Sequence, residues 1–225
     1  MAKPLRASIF DMDGLLIDSE PLWHLAESEI LGGLGVPLDR AGTRQTKGMF
    51  VSEVIDHWFA KHPWTGPSPA QVAAMVVERV GELTIERGMI LPGARDTVLA
   101  MAERGPVALA SSTPHDLIAV VLGHIELAGE FETICSAEDE EYGKPHPAVF
   151  LTAAKALGVA PQRCCVFEDA PAGVLAAKAA RMVCVAVPEA GERERPEIAL
   201  ADVILNSLTD LDLDELDRLV LSGAV

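Results

Sequence analysis

Asp11-Met12-Asp13-Gly14 places two carboxylates two residues apart, directly after the apolar run Ala7-Ser8-Ile9-Phe10. If the chain bends there, both side chains reach one pocket, and Gly14 eases the bend. Paired carboxylates can divide a substitution at phosphorus between them. One attacks as a nucleophile and becomes an aspartyl-phosphate. The other protonates the departing oxygen and later activates water. Magnesium takes a few carboxylates together with water and phosphate oxygens. Asp11 can therefore combine the roles of ligand and nucleophile, with Asp13 as the proton carrier.

Three further clusters could complete such a pocket. Ser111-Ser112-Thr113 follows the run Pro106–Ala110 and leads into Pro114-His115-Asp116-Leu117. Hydroxyl and N–H groups entering a helix form an anion site; a plain N-cap is the other reading of the same residues. Lys144 lies in Tyr142-Gly143-Lys144-Pro145-His146-Pro147. There the neighbouring Gly and Pro could hold its charge rigidly near phosphoryl oxygens, or it is a surface lysine in a turn. Glu168-Asp169 ends the run Cys164–Phe167. It could add hard oxygen ligands suited to magnesium, whereas zinc favours Cys and His; Asp169 could instead cap a helix. Spacing alone decides nothing, because Asp210, Asp212 and Asp214 repeat it near the C-terminus. No strand end is evident there, and those acids read as solvated.

The elements that must position these groups recur along the chain. Short apolar runs at 7–10, 106–110, 164–167, 183–187 and 203–205 end in polar residues or proline and alternate with helix-like segments. The segments Ala94 to Arg104, Pro147 to Leu157 and Ala170 to Ala180 read as helices. Apolar runs without alternation suit strands buried on both faces. The pattern predicts an α/β fold with a doubly wound parallel sheet, whose ligands bind at the carboxyl ends of the strands. Residues 19–88 break it. They read as an all-helical insertion holding Trp23, Trp58 and Trp64, with Ser19 as an N-cap and Pro21 in the first turn. The expected division is a core of 1–18 and 89–225 and a helical cap of 19–88, placed to act as a lid.

Bulk properties narrow the partners. A formal charge of −16 disfavours nucleic acid and anionic membranes. It also requires a cation and a few placed lysines to draw in a phosphorylated metabolite. No apolar run reaches the roughly 20 residues that span a bilayer, and Asp11 interrupts any secretory signal at the start. The four cysteines include no C-x-x-C pair and read as reduced, buried thiols. A cytoplasmic monomer is expected.

In the order D-x-D-G, S, K-P, E-D, these clusters resemble the haloacid dehalogenase superfamily, in the branch with a helical cap after the first strand. The resemblance spans essentially the full length. It implies Asp11 as nucleophile, Asp13 as general acid/base, and Ser111 and Ser112 as phosphate-binding residues. Lys144 would steady Asp11 and the phosphoryl group. Magnesium would be held by Asp11, Glu168, Asp169 and the Asp13 backbone carbonyl. The stretch Phe10 to Trp23, together with Pro63-Trp64-Thr65-Gly66-Pro67 and Ala179-Ala180-Arg181-Met182, is similar to the hexitol phosphatase / 2-deoxyglucose-6-phosphatase branch. That implies a magnesium-dependent phosphomonoester hydrolase acting on sugar or sugar-alcohol phosphates. Glu20, Trp23, His24, Lys47, Phe50 and Trp58 are the cap candidates for substrate selection.

A sugar phosphomutase of the β-phosphoglucomutase type is the nearest different activity. In that pattern a cap histidine sits near the Trp23 position and an arginine follows a Lys-Gly pair. Here Lys47-Gly48 is followed by Met49, Phe50 and Val51, so the bidentate clamp for a second phosphate is missing. A non-enzymatic reading, either an aspartate-phosphorylated receiver or a binding module, fits less well. Receivers are shorter and insert no helical segment after the first strand.

Overall fold

The structure, a computed structural model, describes residues 6–38 and 49–222. Six parallel strands form its sheet: β1 (Ala7–Phe10), β2 (Val107–Ser111), β3 (Thr133–Ser136), β4 (Cys164–Glu168), β5 (Val183–Ala186) and β6 (Val203–Ile204), in the order β3-β2-β1-β4-β5-β6. Helices α1 (Glu20–Gly33), α2 (Val51–Lys61) and α3 (Pro69–Arg87) follow β1. The remaining helices are α4 (Ala94–Ala102), α5 (His115–His124), α6 (Ala148–Ala156), α7 (Pro171–Ala179) and α8 (Leu213–Ser222). This is the doubly wound α/β arrangement that the alternating pattern predicts. No helix among the described residues is long and apolar enough to cross a membrane.

Strands β1, β2, β4 and β5 are buried throughout, because helices cover both faces of the sheet. Phe10, Leu109 and Phe167 share one face with α4 and α5; the rings of Phe10 and Phe167 stack at 4.5 Å. Ile9, Ala108, Ala110 and Val166 face α6 and α7 on the other side. Adjacent Cys164 and Cys165 fall on opposite faces, as strand alternation demands, and all four cysteine thiols are buried. Burial alone raises the Cys164 thiol to about 11, which suits packing rather than reactivity.

Two local details differ from the sequence reading. β3 was not among the expected strands, since Thr133-Ile134-Cys135-Ser136 is short and half polar; it forms by pairing in register with β2. Ser19 occupies the N-cap position of α1, but its hydroxyl makes no capping bond and is buried without a hydrogen-bond partner. By contrast Ser68 opens α3 with a reciprocal capping box to Gln71. Helix α3 packs against α1 and α2 and also against α5, so it ties the three inserted helices to the sheet layer.

Candidate active site

Strand order is what assembles the site. β1 lies between β2 and β4, with Phe10 opposite Leu109 on one side and Phe167 on the other. The residues that end these three strands therefore share one edge, beside the reversal of strand order where such sheets bind ligands. Asp11, Ser111, Glu168 and Asp169 are all buried there. With Asp13, Ser112, Thr113 and Lys144 they line one cavity.

Lys144 is the hub. Its Nζ donates to Asp11 Oδ1 at 2.7 Å, to Glu168 Oε1 at 2.6 Å and to the Ala110 carbonyl at 3.3 Å. Three acceptors thus use the three donors of the ammonium, and the side chain is only 5% exposed. Burial opposes its charge, but Asp11 and Glu168 outweigh burial and hold the lysine well above its ordinary value. Burial raises Asp11 well above the usual carboxylate range. Lys144 pulls it back, while Glu168, Asp169 and Asp13 push it higher. The lysine therefore stays charged, but one ammonium cannot balance this many acids.

The donor set fits a hard divalent cation. Carboxylate oxygens of Asp11, Glu168 and Asp169 lie within 4.8 Å of one another, all three residues buried. The backbone makes room for two of them. Gly14 adopts φ +73°, and a Cβ there would stand 2.4 Å from Asp169 Oδ2. A Cβ on Gly173 would stand 1.7 Å from Glu168 Oε1. All-oxygen, anionic ligands match magnesium rather than zinc. Another acidic group, His115 with Glu138 and Asp139, lies nearer the surface, where His115 Nε2 sits 2.8 Å from Asp139.

The Asp13 carboxylate does not join the metal-type cluster. Its Oδ1 accepts from Trp23 Nε1 at 3.0 Å, and its Oδ2 accepts from Thr113 Oγ1 at 2.6 Å. Ser111 Oγ accepts the Thr113 backbone N–H at 3.1 Å and reaches Asp13 only at 3.5 Å. In the sequence Thr113 is one member of a serine-threonine cluster, with nothing local to assign it a task of its own. Its contact with Asp13 depends on how the chain turns after β2.

Helix α1 supplies the opposite wall, where Glu20, Trp23, His24 and Glu27 line the cavity with Met49, Val51 and Val54. Trp58 does not. It is 5% exposed and shares the inward face of α2 with Val54 and Ile55, so it packs within the helical segment. Phe50 sets its ring against Gly143, beside Lys144, where a Cβ would meet Phe50 Cε2 at 2.5 Å. Lys47 lies outside the described residues. Glu27 was not anticipated; a glutamate in a helix carries no sign in the sequence of pointing inward.

A model of the haloacid dehalogenase-like hydrolase family matches residues 5–181. The chain belongs to this family. This haloacid dehalogenase-like hydrolase is 43% identical over 216 residues to hexitol phosphatase B of Escherichia coli, covering 95% of this chain and 97% of that one. It is 31% identical to the fructose-1-phosphate phosphatase YqaB of Escherichia coli, over 80% of this chain and 94% of the other. Among solved structures it resembles β-phosphoglucomutase from Clostridium difficile, with TM-score 0.85, 25% identity and coverage of 98% and 99%. Family membership makes the chain an enzyme and removes the receiver and binding-module readings.

Proposed function

We propose that this hydrolase is a magnesium-dependent phosphatase of small sugar or sugar-alcohol monophosphates. The convergence of Asp11, Lys144, Glu168 and Asp169 at one sheet edge carries the reading. Lys144 engages Asp11 Oδ1, which leaves Oδ2 as the attacking oxygen. Attack on phosphorus forms the Asp11–phosphoryl bond and breaks the bond to the sugar oxygen, which takes its proton from Asp13. A water deprotonated by Asp13 then attacks the phosphorus, releasing phosphate and regenerating Asp11. Ser111 and Ser112 bind phosphoryl oxygens, and Lys144, its donors engaged by Asp11, Glu168 and the Ala110 carbonyl, adds its positive charge beside them. A magnesium ion held by Asp11, Glu168, Asp169 and the Asp13 backbone carbonyl would supply charge balance for those oxygens.

Residues 19–88 act in this scheme as a cap that excludes bulk water, and the Trp23–Asp13 bond spans its contact with the core. A phosphorylated metabolite is the only partner the scheme requires, and a monomer in the cytoplasm suffices. Mutase chemistry needs a firm hold on a second phosphate. Met49 and Val51 line the cavity just after Lys47-Gly48, where the mutase pattern has its arginine, which favours hydrolysis.

Phosphate release from p-nitrophenyl phosphate tests the proposal. It should require magnesium and vanish in Asp11→Asn; activity surviving that substitution would refute the nucleophile. With β-glucose 1-phosphate, isomerisation outpacing phosphate release would favour the mutase.

A further inference from the structure

Helix α1 presents one polar face to the cavity. Glu20, Trp23, His24 and Glu27 fall at spacings of three, four and seven residues, the period of a single helical face, and all four line it. Trp23 is committed to Asp13. Glu27 is 8% exposed, lies on the cavity wall that includes Val51 and Val54, and has no hydrogen bond or ion pair among the described residues. His24 Nδ1 is likewise buried without a hydrogen-bond partner. Buried polar groups in folded proteins are normally satisfied. A largely buried carboxylate with no partner among the described residues, set in the wall of this cavity, points to a ligand that completes it.

We propose that Glu27, assisted by His24, is a specificity-determining residue that hydrogen-bonds the hydroxyls of a neutral, polyhydroxylated substrate tail. The proposal rests on the phosphatase reading above and names what the cap side of that site recognises. The acids on this wall favour an uncharged tail. Among the described residues Lys144 is the only lysine or arginine that lines the cavity, and it is bonded to Asp11 and Glu168. Glu27, when ionised, would repel a carboxylate or second phosphate at the far end. A hydroxyl can both donate and accept, which suits Glu27 in either protonation state. Burial raises Glu27 to about 7, so near neutral pH the side chain can donate as well as accept. Selection by a site built to pair hydroxyls is strong, because the wrong tail leaves these buried groups unpaired.

The test compares kcat/KM for a hexitol 6-phosphate, its analogue lacking the distal hydroxyls, a hexonate 6-phosphate and p-nitrophenyl phosphate. Wild type should prefer the hexitol phosphate over the deoxy analogue by about tenfold or more. Glu27→Leu should cut the ratio of hexitol phosphate to p-nitrophenyl phosphate turnover by about tenfold, through KM. Glu27→Gln keeps a donor and an acceptor and should retain that ratio within about threefold, while improving the hexonate phosphate relative to the hexitol phosphate. That change of preference would not arise from a merely structural role. Equal wild-type turnover of hexitol and deoxy phosphates, or an unchanged ratio in Glu27→Leu, overturns the assignment. Absence of wild-type turnover of p-nitrophenyl phosphate refutes instead the phosphatase reading on which it stands. The wild-type comparison and the Gln variant keep the question decidable if the Leu variant fails to fold.

Discussion

Trp23 Nε1 donates to Asp13 Oδ1 at 3.0 Å, so a side chain from the first inserted helix fixes one oxygen of the proposed acid/base. Thr113, from the turn after β2, holds the other oxygen at 2.6 Å. Asp13 is therefore oriented by residues 10 and 100 positions away along the chain. The bond from Trp23 exists only while α1 lies over the site.

Trp23→Phe keeps the ring and removes the N–H donor. kcat for a hexitol phosphate should fall about tenfold, the scale expected when a general acid loses its orientation. KM should change less, and the melting temperature should stay within a few degrees. A kcat within twofold of wild type would show that Asp13 needs no help from α1.

Lys144→Met removes the charge and keeps the length of the side chain. Activity should fall by about a hundredfold or more. Breaking a buried ion pair also costs roughly 3–5 kcal/mol of stability, because Asp11 and Glu168 remain buried. Protonation relieves such carboxylates, so the loss should be smaller at pH 5 than at pH 8. Thermal melts at both values check this, and an equal loss at both would count against it.

Gly173→Ala should act on the metal site and also lower stability, because the methyl displaces a buried, ion-paired carboxylate. The new methyl would displace Glu168 Oε1, which stands 1.7 Å from the ideal Cβ position. A ligand that binds only the folded state stabilises it by about 2.7 kcal/mol at a hundredfold excess over its Kd. Magnesium should therefore raise the melting temperature of wild type and do so far less for this variant. A shift of equal size in both proteins would remove Glu168 from the ligand set.

Glu27 makes stability depend on pH. Its value rises from 4.5 to about 7 on folding because burial disfavours the charged form. The folded state thus holds its proton longer than the unfolded one. Stability from this group is full below pH 4.5 and declines until about pH 7, by roughly 3 kcal/mol at 1.36 kcal/mol per unit. Glu27→Gln lacks this titration, so its stability relative to wild type should grow between pH 4.5 and 8. Asp11, Asp13, Glu20, His24, Lys144, Glu168 and Asp169 line the same cavity and are common to both proteins, so the difference isolates Glu27. Parallel stability curves would exclude a raised Glu27.

The chain announces its strands and the polar residues that end them. Runs such as Ala7–Phe10 and Cys164–Phe167 are apolar on both faces, a local property that requires no knowledge of neighbours. Asp11, Ser111, Lys144, Glu168 and Asp169 stand at strand ends or in a tight turn, and their order carries the family resemblance. Other features depend on contacts between distant segments. Pairing of β1 with both β2 and β4 decides that three strand ends form one pocket. Ser19 leaves its capping bond unmade. Trp58 turns into the helical packing while Trp23 turns toward Asp13, though both are tryptophans at helical positions. Glu27 faces an apolar wall only because α1 lies where it does over the sheet edge. Local pattern follows from backbone period and side-chain type. Which faces meet follows from packing, where burial is shared among residues far apart in the chain.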